Sequence, residues 1–303
     1  MRIAFLGTPA DAVPSLRALH AAGFEVPLVV TQPDRRRGRG SEAMPSPVKA
    51  AASELGLEVR TPVRAIEIAD ELVGSGAEVG VVVAFGQLLP QALLDVPPLG
   101  FVNVHFSLLP RWRGAAPVER AMLAGDAETG VCLMQIEAGL DTGPVFARRA
   151  VGIDPDETAG ELHARLVELG TALLLETLPG LASATPEPQV GEHTYAARLT
   201  VEEFELDWAR PARELALLAR AGNPRPGAWT TLGGKRFKVW RARAADAGPA
   251  AGAADTPGLV GPHGTVVTGD GALVLVEVQP EGKPVMPAEA WLAGRRGETV
   301  LGT

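Results

Sequence analysis

The sequence predicts an α/β protein in which a Rossmann-like, mostly parallel sheet domain is followed by a small, OB-like β-barrel. In the first half of the chain, short β-branched runs alternate with helical patterns, which is typical of a parallel sheet with right-handed helical crossovers. After a proline-rich stretch, apolar residues recur at every second position between glycine turns, which is typical of a small barrel. A length of 303 residues suits two domains. The predicted boundaries are 1–188 for the sheet domain, 189–206 for a linker and 207–303 for the barrel.

The elements of the sheet domain follow from local patterns. Runs rich in β-branched and apolar residues predict strands at residues 2–6, 26–31, 79–84, 101–104, 131–136 and 144–151. Apolar residues at helical spacing predict helices at residues 12–22, 48–56, 66–74 and 158–178. Ser46 and Pro47 mark the start of the second helix, because serine is a favoured N-cap and proline suits the first helical position.

The second half of the chain changes in pattern. Residues 181–194 are rich in proline and weakly patterned, and we interpret them as a linker. Beyond them, residues 237–240 and 272–278 alternate or run apolar, and glycines at 233–234 and 269–271 mark turns. These features predict the strands of the barrel.

Composition excludes several classes of protein. Hydrophobic residues make up 46% and charged residues 21% of the chain, a globular balance that argues against disorder. The single cysteine, Cys132, rules out a disulfide framework and a cysteine-rich zinc module. The apolar start of the chain is too short for a signal peptide, and no stretch approaches the ~20 apolar residues of a membrane span. The sequence therefore predicts a soluble, cytoplasmic protein with no membrane partner.

Charge is unevenly distributed along the chain. The formal net charge is −8, which argues against indiscriminate binding to polyanions, so no DNA partner is expected. Residues 210–243 nevertheless hold nine basic residues against the single acid Glu214, a net charge of +8 that leaves −16 for the remainder. A second basic cluster comprises Arg35, Arg36, Arg37 and Arg39. These segments are either faces for a nucleic acid or two solvated basic surfaces.

The first predicted strand does not end in a dinucleotide-binding motif. It is followed by Gly7, Thr8 and Pro9 rather than by Gly-x-Gly-x-x-Gly, and Pro9 lacks the N–H that a pyrophosphate would need. The chain also contains no Walker A sequence. Both observations argue against a nucleotide cofactor.

Polar side chains follow the fourth predicted strand. Asn103 and His105 alternate along it, so both should project from one face, and ligands of open α/β sheets bind at the carboxyl ends of strands. Asp141 lies between Gly139 and Gly143, a pattern that predicts a tight loop presenting its carboxylate. The alternatives are a histidine satisfied in the core and a plain turn carboxylate.

An amide, an imidazole and a carboxylate with no paired nucleophile suit direct acyl transfer between two bound substrates. Asn103 can donate to a developing oxyanion, and His105 can do the same or protonate a leaving nitrogen. A serine hydrolase fits less well, because Ser107 lacks the Gly-x-Ser-x-Gly elbow and lies only two residues from its base. Cys132 lies within a strand pattern that favours packing over nucleophilic chemistry. No histidine, cysteine and aspartate cluster has ligand spacing, so no metal is expected.

Three segments carry a family resemblance. They are N-V-H-F-S-L-L-P-R-W-R-G-A-A-P at 103–117, G-D-A-E-T-G-V at 125–131 and G-L-D-T-G at 139–143. On these segments the chain resembles the formyltetrahydrofolate-dependent formyltransferases over nearly its whole length. The segment T-Q-P-D-R…M-P-S-P-V-K at 31–49 and the basic C-terminal half favour the members that act on tRNA.

The resemblance implies an activity and the residues that perform it. The expected donor is 10-formyltetrahydrofolate, and the expected acceptor is the α-amino group of methionine on initiator tRNA. The implied catalytic residues are Asn103, His105 and Asp141. Folate contacts are implied at Ser107, Leu108, Leu109 and Pro110. Together with the charge distribution, the resemblance predicts tRNA contacts at Arg36, Arg39, Lys235, Arg236 and Lys238.

Three positions depart from the family pattern. Phe106 stands where relatives usually have glycine, Arg198 replaces a lysine, and Ser41 stands where lysines usually begin. Other activities stay open at this point: a formyltransferase acting on an amino-sugar nucleotide, a formyltetrahydrofolate hydrolase, and an RNA-binding protein without catalytic activity.

Overall fold

The computed structural model describes residues 1–36, 43–245, 256–295 and 297–303, and for Arg35 and Arg36 the backbone alone. These residues form two compact units that interleave along the chain. The first unit comprises Met1–Gly114, Thr129–Val151 and His163–Tyr195, and the second comprises Ala115–Glu128, Gly152–Leu162 and Ala196–Thr303. The division into 1–188, 189–206 and 207–303 stays a prediction.

The strands of the first half are β1 (Arg2–Gly7), β2 (Glu25–Val30), β3 (Arg35–Arg36), β4 (Ala43–Met44), β5 (Val59–Arg60), β6 (Val79–Val83), β7 (Phe101–His105), β8 (Arg113–Gly114), β9 (Glu128–Gln135) and β10 (Val145–Gly152). Those of the second half are β11 (Tyr195–Ala196), β12 (Ala228–Leu232), β13 (Lys235–Ala244), β14 (Thr265–Val267), β15 (Ala272–Pro280) and β16 (Met286–Pro287). The helices are α1 (Val13–Ala21), α2 (Pro47–Glu54), α3 (Ala69–Ser75), α4 (Gln91–Leu94), α5 (Pro117–Leu123), α6 (Ala159–Thr177), α7 (Ala212–Ala221) and α8 (Ala288–Ala293).

The first unit is built on a seven-stranded sheet in the order β10-β9-β7-β6-β1-β2-β5. Strand β1 runs parallel to β2 and β6, β2 runs parallel to β5, and β6 runs parallel to β7. Strand β9 runs antiparallel to β7. The carboxyl ends of β1, β2, β5, β6 and β7 therefore meet at one edge of the sheet, where such sheets bind ligands.

Close packing explains why particular residues form this sheet. Every residue of β6 is buried, as expected for a strand covered on both faces. A Cβ atom at Gly80 would lie 2.1 Å from the ring of Phe101 on β7, so only glycine fits there. The predicted start of α2 is confirmed, because the Ser46 hydroxyl accepts a hydrogen bond from the Lys49 N–H at 3.0 Å and Pro47 begins the helix.

The second unit contains an antiparallel sheet in the order β12-β13-β15-β14, with β16 added on β15. Phe237 and Trp291 pack in its core with ring centroids 4.7 Å apart. Helix α7 buries Leu215, Leu218 and Ala219, residues three and four apart that share one helical face. The predicted fold class, a mostly parallel Rossmann-like sheet followed by a small curled β-sheet domain, is confirmed.

Two features differ from the sequence-based expectations. Helices α4, α5, α7 and α8 lie in segments for which no helix was predicted. Part of the stretch 181–194, predicted as a linker, is packed, because Glu187 and Val145 exchange two backbone hydrogen bonds of 2.8 and 2.9 Å. The helices are stabilised by burial of their apolar faces, and the stretch 181–194 is held by backbone pairing. Local composition reports neither kind of contact.

By length and composition alone, one helical stretch in the described part of the chain, Ala159–Ser183, is long and apolar enough to cross a membrane. Leu166 and Leu174 on this stretch are fully buried within the protein. The apolar face of this stretch therefore packs against the protein at Leu166 and Leu174.

Candidate functional site

Asn103 and His105, the polar pair predicted at the strand of residues 101–104, lie on one face of β7. Asn103 and His105 are separated by a single residue, and β7 lies between β6 and β9 in the sheet. Asn103 lies opposite Val82 on the parallel side and opposite Met134 on the antiparallel side. Because alternate side chains of a strand share a face, both polar groups project from the same side of the sheet.

Asp141 is held in a tight loop between β9 and β10. Its backbone φ is +52°, a left-handed conformation that aspartate adopts more readily than most residues. A Cβ atom at Gly143 would lie 2.0 Å from the Gln135 carbonyl oxygen, and one at Gly139 would lie 2.4 Å from the Thr142 hydroxyl. The close approach of the Gln135 backbone therefore requires a glycine at position 143, which keeps the loop tight.

This loop brings the carboxylate to the imidazole. His105 Nδ1 lies 3.7 Å from Asp141 Oδ2, and His105 is only 5% exposed. The other ring nitrogen, Nε2, lies 2.9 Å from the Trp112 carbonyl oxygen. Since a carbonyl only accepts, Nε2 carries the proton of this hydrogen bond and Nδ1 faces the carboxylate. Asp141 Oδ2 also accepts a hydrogen bond from the Gly114 N–H at 2.8 Å.

The side-chain amide of Asn103 is open to a ligand. The residue is partly exposed, and its amide has no hydrogen-bonding partner within the described residues. An amide donor beside a buried imidazole is an arrangement that can stabilise negative charge on a substrate oxygen. The site therefore offers an amide donor and an imidazole whose Nε2 is held by a carbonyl and whose Nδ1 faces a carboxylate.

The turn after β7 contains the four residues predicted to contact folate. Ser107 is fully buried, and its hydroxyl donates to the Arg111 carbonyl oxygen at 2.6 Å. Leu109 is also buried, in a cluster with Cys132 and Met134. Leu108 and Pro110 are partly exposed. Ser107 and Leu109 therefore offer almost no surface to a ligand, and the exposed surface of this turn comes from Leu108 and Pro110.

A cleft of about 320 Å³ opens at the same carboxyl edge of the sheet. It is lined by loops that follow β2, β5 and β6, including Gln32, Arg64, Gln87 and Leu88. Leu88 is 83% exposed and contributes an apolar side chain to the wall of this cleft.

Two side chains next to the site contribute packing. Phe106, the residue that departs from the family pattern, turns away from His105 along the strand, and its ring centroid lies 5.0 Å from that of His163 on α6. Cys132 is fully buried in β9, and burial raises the pKa of its thiol. A buried thiol with a raised pKa is a poor nucleophile, which agrees with the packing role predicted for Cys132.

The basic residues predicted to contact tRNA in the second half, Lys235, Arg236 and Lys238, lie on β13, and the last two are stacked on tryptophans. The Arg236 guanidinium lies 4.1 Å from the centroid of the Trp229 ring, and Lys238 Nζ lies 4.7 Å from that of Trp240. Lys235 and Arg236 are exposed. Partial burial, followed by the charge of Arg236, lowers the pKa of Lys238.

Not all of the basic window at 210–243 forms one surface. Arg220 is half-buried, and its guanidinium donates to the carbonyl oxygens of Glu157 and Asp154 at 2.8 and 2.6 Å, which is a structural role. Arg210 is paired with Glu214, and Arg241 with Glu161. On β13, the exposed Lys235 and Arg236 are the better candidates for contact with a phosphate backbone, with the partly buried Lys238 beside them.

The second basic cluster falls largely outside the described residues. Arg39 lies in the undescribed segment 37–42, and for Arg36 only the backbone, in β3, is described. The tRNA contacts expected of both residues stay predictions. No group of three or more histidine, cysteine, aspartate or glutamate side chains that could hold a metal occurs within the described part of the chain.

Similarity to known proteins agrees with this geometry. Residues 1–178 match the family described as "Formyl transferase", and residues 198–296 match "Formyl transferase, C-terminal domain". The chain is 51% identical over 299 residues to a protein of Roseobacter denitrificans named methionyl-tRNA formyltransferase. The alignment covers 97% of this chain and 96% of that protein.

Solved structures share the fold at low sequence identity. An N-formyltransferase from Helicobacter canadensis, solved with folinic acid and dTDP-3-aminofucose, aligns with a TM-score of 0.68 at 16% identity over 92% of this chain and 98% of that one. HypX from Aquifex aeolicus, solved with tetrahydrofolic acid, aligns with a TM-score of 0.66 at 16% identity over 99% of this chain and 50% of that one. At these identities the likeness concerns the fold alone.

Proposed function

The chain belongs to the formyl transferase family, and we propose that it transfers a formyl group from 10-formyltetrahydrofolate to the α-amino group of methionine on initiator tRNA. The observation that carries this proposal is the 3.7 Å approach of His105 and Asp141, because His105 lies on the strand that also presents the partly exposed Asn103 amide. This geometry suits acyl transfer. The 51% identity to a methionyl-tRNA formyltransferase over nearly the whole chain supports the choice of acceptor.

The proposed reaction is a direct acyl transfer through a tetrahedral intermediate. The methionine nitrogen attacks the formyl carbon, and the bond from that carbon to N10 of the folate breaks. The Asn103 amide donates to the oxyanion. Because Nε2 is engaged by the Trp112 carbonyl, His105 donates a proton carried on Nδ1, either to the same oxygen or to the leaving N10, and Asp141 holds the imidazole in place. The attacking amine loses one proton and N10 gains one, so the reaction is balanced.

We propose that the folate lies beside the turn formed by Ser107, Leu108, Leu109 and Pro110. A pterin ring has an amide-like edge that backbone N–H and C=O groups can read without charged side chains. The partly exposed Leu108 and Pro110, together with the exposed Leu88 of the neighbouring cleft, supply apolar walls.

The proposed acceptor also indicates where the protein acts. Charged initiator tRNA is used by the translation machinery of the cytoplasm, and we propose that location for this enzyme. The reaction requires neither a membrane nor DNA as a partner.

The proposal is tested by following consumption of 10-formyltetrahydrofolate with three acceptor conditions. Methionine-charged initiator tRNA should support turnover, whereas an amino-sugar nucleotide and the absence of any acceptor should not. Turnover with the amino-sugar nucleotide alone would favour the other transferase activity. Release of formate without an acceptor would favour a hydrolase.

Replacement of Arg39 by alanine should lower kcat on tRNA while leaving folate binding unchanged. Arg39 lies in a short glycine-bracketed segment of the catalytic half, and a cation there can hold the acceptor end of the tRNA near the reacting groups. The measurement is kcat with charged initiator tRNA, together with folate affinity by fluorescence. Arg17→Ala, which removes an exposed, ion-paired arginine of the same half, is the control and should change neither. An unchanged kcat in Arg39→Ala would contradict the assignment.

A further inference from the structure

The Asp141 loop is held by two side chains to which neither the chemistry above nor the sequence analysis gives a role. We propose that Gln189, supported by Arg113, is a positioning residue that keeps the Asp141 carboxylate directed at His105. This inference rests on the proposed formyl transfer, because it concerns the orientation of a residue acting in that reaction.

Gln189 bridges two backbone carbonyl groups of the Asp141 loop. Its amide nitrogen Nε2 donates to the carbonyl oxygens of Asp141 at 2.9 Å and of Gly143 at 2.8 Å. Its amide oxygen Oε1 accepts from Arg113 Nε at 3.0 Å and Nη2 at 2.7 Å. Because guanidinium groups only donate and carbonyls only accept, just one orientation of the Gln189 amide satisfies all four hydrogen bonds.

Residues 112–114 contact every other member of this arrangement. The Trp112 carbonyl oxygen lies 2.9 Å from His105 Nε2, Arg113 holds Gln189, and the Gly114 N–H donates to Asp141 Oδ2 at 2.8 Å. Consecutive residues thus fix the imidazole, the bridging amide and the carboxylate. Because residues 112–114 are covalently linked, the groups that they hold stay close to one another. This linkage helps to keep the ring and the carboxylate 3.7 Å apart.

The loop needs this support. Asp141 has a positive φ, a conformation that an aspartate keeps only where the surrounding structure determines it. The Gln189 hydrogen bonds hold the carbonyl group of this residue and that of Gly143, two positions further on. Without them the loop can relax, and the Oδ2 oxygen would leave its position near Nδ1. Small misplacements of a catalytic group can cost large factors in rate.

Gln189→Ala should lower kcat about tenfold to a hundredfold while changing the KM for folate and for tRNA by less than about twofold. Gln189→Glu keeps an acceptor for Arg113 but turns an oxygen toward the two carbonyls, so it should lose as much kcat as Gln189→Ala. Glu187→Ala is the matched control, since the Glu187 side chain is 80% exposed and, among the residues that the structure describes, pairs only with Arg148 at 3.5 Å. It should leave kcat unchanged.

A double-mutant cycle separates positioning from a general loss of structure. If Gln189 acts through Asp141, Gln189→Ala should lower kcat little or not at all in an Asp141→Asn background. An equal loss of kcat in both backgrounds, or an unchanged kcat in Gln189→Ala, would overturn the inference. Arg113→Lys, which keeps the charge but loses the two-donor fork, gives a milder perturbation of the same chain if Gln189→Ala does not fold.

A readout without turnover keeps the inference separate from the proposed function. In NMR spectra, the His105 ring nitrogen signals of Gln189→Ala should move toward those of Asp141→Asn, whatever the substrate is. Unmoved ring signals would contradict the positioning role. Absence of formyl transfer by the wild-type protein would instead contradict the proposed function.

Discussion

Replacement of Asn103 by alanine should reduce kcat by roughly 10²–10³, the loss seen when one oxyanion donor is removed. The Asn103 amide has no other partner within the described residues, so its removal should take away a contact made only in the transition state. The side chain is also partly exposed, and the substitution leaves no buried polar group behind. The measurement is kcat on charged initiator tRNA, with thermal unfolding as the check on folding.

Asp141→Asn should give a comparable loss, and the double variant should lose far less than the product of the two single losses. Non-additivity is expected because both residues act on one tetrahedral intermediate, Asp141 through His105. Asp70→Asn, at an exposed aspartate of α3, is the matched control and should leave kcat unchanged. A folded Asn103→Ala or Asp141→Asn protein with near-normal kcat would show that the catalytic assignment is wrong.

Neutralising Lys235, Arg236 and Lys238 together, each as a glutamine, should raise the KM for tRNA with little change in kcat. These cations lie on β13, away in sequence from the reacting groups, and two of them are fixed against tryptophan rings. If each contacts a phosphate, the slope of log affinity against log salt should become shallower by about 2 to 3. The lowered pKa of Lys238 means that its share of binding should be lost first as the pH rises through the alkaline range.

The control for this surface removes an equal charge elsewhere. Arg17, Arg148 and Arg149 are exposed arginines in surface ion pairs with glutamates, which contribute little to stability. Their triple replacement by glutamine should leave the KM for tRNA and the salt slope nearer to the wild-type values. Equal effects of both triple variants would indicate net charge rather than a specific surface. Unchanged KM and slope in the β13 variant would show that these side chains only solvate the surface.

The centre of the site was predictable from local sequence because its signals are local. Asn103 and His105 occupy alternate positions of an apolar strand, and the strand period alone places them on one face. The glycines around Asp141 are also a local signal, and they indicate a tight loop. That His105 and Asp141 meet, 36 positions apart, depended on the family resemblance, since no local pattern reports which loop lies beside which strand.

Gln189 could not be found in this way. It lies in a proline-rich segment without periodicity, where composition suggests a linker, and its role depends on hydrogen bonds to residues 46 and 48 positions away.

Helix α7 was missed for another reason. The segment was interpreted by the charge of its arginines, at positions 210, 213 and 220. Its buried residues Leu215, Leu218 and Ala219 nevertheless follow helical spacing. Arg220 serves the packing of this region rather than a ligand, which only its backbone partners reveal.

The central claim is that the site around Asn103, His105 and Asp141 moves a formyl group from folate to methionine on initiator tRNA. A single-turnover experiment with 10-formyltetrahydrofolate labelled in the formyl carbon tests it most directly. After rapid quenching and hydrolysis of the tRNA, the label should be recovered as N-formylmethionine in amounts equal to the folate consumed. Label recovered as free formate, or left on the folate while charged initiator tRNA is present in excess, would contradict the account.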